Sequence, residues 1–208
     1  MMLEISKIKK IIKKKFKGEN SGHDYKHLKR VYKYALKIQK EEGGDKYVIS
    51  IAALVHDIHR IMSNREKRFV FPKESLKEVE EILIMAGVNK DKIAAILEVV
   101  EFHDEKCSEK EFNQEIKIIQ DADVLDALGK RGLKRTLAYC KDKGIPVVDK
   151  NHDLDSEKYI PDVNPISTCH YIYRTMIPNG KRMHTNIAKK MAKNKIKVLE
   201  TFLGNYVY

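Results

Sequence analysis

The run VISIAALVHDIH, residues 48–59, is almost wholly apolar until it sets an imidazole, His56, beside a carboxylate, Asp57. Neighbours on a helix point about 100° apart, so the two cannot satisfy one another as residues four apart can. A carboxylate at the inner end of an apolar helix costs several kcal/mol unless it is paired or coordinated. A divalent cation lying between the two groups would give both a common partner. Three further places offer similar chemistry: His23 and His27, four apart and so on one helix face, the pair His103-Asp104, and Asp121-Ala122-Asp123. Each has a plainer use. A histidine near a core is often simply hydrogen-bonded, Asp121 can cap a helix that starts at 122, and His23 and Asp24, following Ser21-Gly22, can cap another. His59, one turn beyond His56, gains no role and is expected as a solvated helix end.

The elements that must carry these residues read as helix after helix. Leu28, Val31, Tyr32, Ala35, Leu36 and Ile38 form a stripe from about 24 to 41, stopped by Gly43-Gly44. A second helix begins near 46 and holds His56 and Asp57. A third starts at Pro72 and Ser75, with Leu76, Val79, Ile82 and Leu83 inward until Gly87. Residues 89–103 and 115–130 follow as two more, with continuation through LKRTLAYCKDK. Both chain ends are amphipathic, through Ile5, Ile8, Ile12 and Phe16 and through Ile187, Met191, Lys195 and Leu199. Strand-like alternation never persists, so the expected fold is an all-α bundle. Residues 144–165 hold three of the five prolines and little periodicity, which predicts a long loop. The expected organisation is a single domain over 1–208 with that insertion and a C-terminal helix at about 183–203.

Composition excludes several classes. At 208 residues the chain can bury a substantial core without staples. No apolar run approaches the ~20 residues that span a bilayer, and MMLEISKIKK lacks the apolar block of a signal peptide, so a cytoplasmic, non-membrane protein is expected. Cys107, Cys140 and Cys169 show no CxxC spacing and are expected as reduced thiols. The formal net charge of +11 can attract polyanions, but much of it lies in 7–17 and 181–197 as lysine faces of amphipathic helices. A basic helical module binding nucleic acid is therefore the non-enzymatic alternative, although aromatic ribonucleoprotein motifs are absent.

Four blocks carry a family resemblance. GHDYKHLKRV (22–31), AALVHDIH (52–59), EFH (101–103) and IIQDADVLDALG (118–129) stand in the order of the His…His-Asp…Asp signature, and the chain resembles the HD-domain metal-dependent phosphohydrolases, in particular their bacterial and archaeal nucleotide-hydrolysing subgroup. The similarity extends into STCHYIYRTM and the last helix. It implies His27, His56, Asp57 and Asp123 as ligands of a divalent metal ion, with Asp121 supporting them. A mixed N and O set suits Mn²⁺, Mg²⁺, Ni²⁺, Fe²⁺ or Zn²⁺. Such an ion activates water and polarises a phosphoryl group. Asp57, His23 and Asp24 are then candidates to take or orient a proton. His103 is a candidate for contacting a substrate phosphate, for assisting the leaving group, or for holding a second metal. Lys26, Lys130, Arg131 and Arg174 are candidates to neutralise the remaining phosphate charge. The implied substrate is a phosphorylated small molecule, foremost a nucleoside or deoxynucleoside triphosphate cleaved to monophosphate and pyrophosphate. A nucleotidase and a cyclic-nucleotide phosphodiesterase are the enzymatic alternatives. Tyr25 replaces the subgroup's tryptophan, Arg174 stands where lysine is expected, and 144–165 and 177–182 depart further.

Overall fold

A computed structural model describes residues 2–19, 22–105, 110–160 and 166–207. Cys107 and residues 161–165 of the expected loop lie outside them. The described residues are all-α, with no strand among them. Backbone packing divides the chain into two compact units, Met1–Asp123 and Val124–Tyr208.

In the first unit α1 (Met2–Lys15), α2 (Tyr25–Glu42), α3 (Lys46–Val55), α4 (Ile58–Glu66), α5 (Leu76–Ala86) and α6 (Lys90–Phe102) precede α7 (Gln114–Ala127), which runs across the unit boundary. α3 is the centre, packed against α1, α2 and α6. Every residue from Val48 to Val55 is buried, which explains a sequence with no polar face. Its start is fixed by Asp45, whose Oδ1 accepts from the backbone N–H of Tyr47 at 2.8 Å and of Val48 at 3.2 Å. Lys92 on α6 donates to the other oxygen of Asp45 at 2.7 Å, and that partner holds the Asp45 carboxyl below its ordinary value. Around α3, α1 buries Ile5, Ile8 and Ile12, α2 buries Leu28, Val31, Ala35 and Ile38, and α5 buries Val79, Ile82 and Leu83. Gly87, at φ +77°, ends α5 in the left-handed conformation that favours glycine. A single 3₁₀ turn, Pro72–Ser75, leads into that helix, so the proline start expected for it belongs to the turn.

The helix expected to carry His56 and Asp57 is in fact two. α3 ends at Val55, Asp57 sits at φ −94° and ψ 17°, and α4 begins at Ile58. That conformation lies in the sparsely populated bridge region, where active-site residues are often found. No glycine or proline marks the break.

The second unit comprises the end of α7, then α8 (Gly129–Asp142), α9 (Thr168–Tyr171), a π-helical turn (Ile172–Met176), α10 (Ile177–Lys181) and α11 (Asn186–Val207). The continuation of the 115–130 helix is interrupted at Leu128, and α8 restarts through Gly129 at φ +76°. At Gly132 a Cβ would lie 1.6 Å from the Ala127 carbonyl oxygen, so the restart has room only for glycine there. α11 packs on α8 and α10. Its buried stripe is Ala188, Ala192, Ile196, Leu199 and Leu203, about one residue along from the expected Ile187, Met191 and Lys195. The shift buries Ala188 and Ala192 and leaves Lys195 to lay its stem against Gly129. Cys140 and Cys169 are free thiols, as expected, and burial pushes the Cys169 thiol up to about 11.

Candidate metal centre

The break after α3 aims Asp57 into the middle of the first unit, where four helices deliver their polar residues. α2 contributes His27 from its first turn, fixed because Asp24, its N-cap, accepts the His27 backbone N–H at 2.7 Å. His23 lies just ahead of that cap. α6 ends at Phe102, and His103 is the residue that closes it. α7 brings Asp123; Gln120 donates to the Phe102 carbonyl oxygen at 2.8 Å, and Glu115 accepts the Asp45 N–H at 2.7 Å, which ties α7 to α6 and to the start of α3.

Asp57 is the hub. Its Oδ2 accepts from His23 Nδ1 at 2.8 Å and lies 3.1 Å from His27 Nε2 and 3.5 Å from His56 Nε2. On the other side, its Oδ1 is 3.8 Å from His103 Nε2 and 3.8 Å from Arg60 Nε. His27 Nε2 is also 3.4 Å from Asp123 Oδ1. Three overlapping sets bring their ligand atoms within 4.8 Å of one another: His23, His27 and Asp57; His27, His56 and Asp123; and His56, Asp57 and His103.

The tautomers follow from the backbone. His56 Nδ1 is 3.2 Å from the Ala53 carbonyl oxygen and His103 Nδ1 is 2.7 Å from that of Val100. A carbonyl only accepts, so Nδ1 carries the proton in both rings; in the neutral His56 ring Nε2 then turns its lone pair toward the centre, while His103 Nε2 faces the Asp57 carboxylate. This is the arrangement found in metal-binding histidines, where the second nitrogen is pinned by a carbonyl or carboxylate. His56 Nε2 is fully buried and has no hydrogen-bond partner among the described residues. A lone pair aimed at an ionised carboxylate needs a cation between them. Neighbouring ligands of an octahedral ion with bonds near 2.1 Å sit about 3 Å apart, and the 3.1, 3.4 and 3.5 Å separations among His27, His56, Asp57 and Asp123 come close to that. The residues therefore fit a divalent cation.

Burial pushes His56 down to about 3, so its ring is neutral. Burial also opposes the charge of Asp57, but the surrounding histidines outweigh it and hold the carboxyl well below the usual range. His103 is raised: burial again works against its charge, and the Asp57 and Asp104 carboxylates prevail.

The structure thus brings together His23, His27, His56, Asp57, His103 and Asp123. Asp121 is buried inside α7, seven residues past its start, so it is not an N-cap; it belongs to none of the three ligand sets found among the described residues. Lys26 is exposed on the first turn of α2. Lys130 and Arg131 are exposed on the first turn of α8 in the second unit. Arg174, exposed in the π-helical turn, donates to the Ser156 carbonyl oxygen at 3.3 Å. Two residues depart from the sequence reading. His59 is not a solvated helix end: it is fully buried, donates from Nδ1 to the His56 carbonyl oxygen at 3.3 Å, and packs its ring 5.3 Å from that of His103. The helix restart turns it inward, and burial brings its pKa down to about 4. Arg60, which the sequence reading passed over, stands beside Asp57; its spacing of three residues from Asp57 was the available signal.

Residues 24–128, just over half of the chain, match the HD domain. The chain belongs to the HD-domain superfamily. Its relatives include YpgQ of Bacillus subtilis, 35% identical over 130 residues, which is 61% of this chain and 61% of YpgQ. The match thus spans about three fifths of that protein's length. Among solved structures, an HD-superfamily hydrolase from Bacillus thuringiensis is 28% identical with a TM-score of 0.72, covering 97% of this chain and 94% of its own. A protein from Lactobacillus plantarum shares the fold at a TM-score of 0.80 and 24% identity, covering 98% and 94%.

Proposed function

We propose that the protein hydrolyses nucleoside or deoxynucleoside triphosphates to monophosphate and pyrophosphate at this centre. The observation that carries the reading is the buried His56 Nε2, its lone pair turned toward an ionised Asp57 inside a ring of further nitrogen and oxygen ligands. His27, His56, Asp57 and Asp123 hold the cation. When bound, that cation acidifies a water and stabilises charge on the phosphoryl oxygens. His23 donates through Nδ1 to Asp57 and so keeps Nε2 as the nitrogen that accepts a proton from the attacking water. His103, its charged form favoured by Asp57 and Asp104, supplies a proton or a hydrogen bond to phosphate. Asp24 is engaged in capping α2 and acts through the placement of His27. That the substrate is a nucleotide is supported by a crystal structure of Bacillus subtilis YpgQ in complex with ADP, which shares this fold at a TM-score of 0.74 and 22% identity over 97% of this chain and 92% of that one.

The test is a nucleotide screen of the chelated protein resupplied with Mn²⁺ or Mg²⁺, reading phosphate and pyrophosphate separately. Cation-dependent pyrophosphate release from triphosphates is expected, and it disappears in His56→Ala while far-UV circular dichroism stays helical. Release of phosphate from monophosphates alone points to a nucleotidase. A His56→Ala variant with full turnover overturns the assignment.

A further inference from the structure

Beside the carboxylate hub lies a group that the reaction as described does not use. Arg60, on the first turn of α4, has Nε 3.8 Å from Asp57 Oδ1 and Nη2 3.4 Å from Asp104 Oδ2. Its side chain is 27% exposed, whereas Asp57 is 3% exposed, so the guanidinium spans from the buried centre to its solvent side. On its outer side the guanidinium carbon lies 5.9 Å from the centre of the Phe69 ring. Phe69 is 54% exposed and meets the 62% exposed Phe71 edge-on at 4.9 Å. From the inside outward the order is carboxylate hub, guanidinium, exposed aromatic ring.

We infer that Arg60 grips a substrate phosphate and that Phe69 supports the base of the same nucleotide. The inference rests on the proposed function and specifies how that site takes its substrate. An arginine fork matches two phosphate oxygens and keeps its charge at any working pH. Asp104 holds the fork in place from the far side, a positioning role. An exposed phenylalanine ring gives any nucleobase a face to stack on, which selects nucleotides over bare phosphates without choosing among bases.

The experiment titrates the cation-loaded protein with two probes, inorganic pyrophosphate and ADP, by calorimetry, and records metal content and thermal midpoint for each variant. Arg60→Gln is expected to weaken both probes tenfold or more with metal content unchanged, and Arg60→Lys to recover only part of the loss. Phe69→Ala is expected to weaken ADP about tenfold and leave pyrophosphate untouched, with Phe69→Tyr restoring ADP. Wild-type affinity for pyrophosphate in Arg60→Gln overturns the inference, as does loss of metal in that variant or an equal effect of Phe69→Ala on both probes. If the wild-type protein binds neither probe, the inference falls together with the proposed function. Normal wild-type binding with unaffected variants removes the inference alone.

Discussion

Replacing Asp57 by asparagine changes the charge at the hub and almost nothing in its shape. In the metal-free protein the carboxylate sits 3.8 Å from His103 Nε2, and His103 is raised by it. At that distance a unit charge pair contributes about 4 kcal/mol at an effective dielectric near 20. Taking the two ions out of water costs several kcal/mol each. The two effects offset, so Asp57→Asn is expected to shift the stability of the metal-free protein by no more than about 2 kcal/mol in either direction. A divalent cation doubles the attraction to the carboxylate. Even if half of that is offset by desolvation, about 4 kcal/mol is lost, on the order of 10³ in dissociation constant. The assay pairs a Mn²⁺ titration with urea denaturation in chelator. Unchanged Mn²⁺ affinity would refute the placement of the carboxylate among the ligands. A metal-free variant that no longer folds would refute the cancellation of Coulomb attraction and desolvation.

Two further outcomes follow from the same centre. Asp123→Asn is expected to lower bound metal, measured by atomic emission after dialysis, more than Asp121→Asn does; the reverse order would move the α7 ligand to Asp121. The metal-free protein is expected to lose stability as the pH falls below 6.5. His56 and His59 are held near 3 and 4 by burial, so between those values and the unfolded value of about 6.5 only the unfolded chain takes up their protons. Well below 6.5 each approaches a slope of about 1.4 kcal/mol per pH unit, and from pH 6.5 to 5.5 the two together remove about 2 kcal/mol. His103 works in the other direction, with its stabilisation fully present below 6.5 and lost as pH rises through its raised folded value, so it does not offset the fall. Urea midpoints in chelator at pH 6.5 and 5.5 measure the slope, and a flat profile contradicts the burial of neutral rings.

The metal-competent side chains and the helices that carry them were legible in the chain. Ile5, Ile8 and Ile12, or Leu28, Val31, Ala35 and Ile38, fall on one side of a 3.6-residue period, and apolar burial makes that side the inner one. The almost wholly apolar α3 could only be central, and four histidines with their neighbouring carboxylates stood beside such stripes. Stripes fix which face turns inward but not where a helix stops when no glycine or proline stops it. The break at Asp57 is decided by packing, since it lets the carboxylate leave the axis of a helix buried all round and meet His23, His27, His56 and His103. The same break turns His59 inward and sets Arg60 against Asp57. Likewise the buried face of α11, which packs on α8 and α10, carries Ala188 and Ala192 instead of the larger Ile187 and Met191. Residue types and their period are local properties and can be read along the chain. The register of one helix on another, and the direction in which a polar side chain leaves the core, depend on contacts between residues far apart in sequence, and these exist only once the chain has packed.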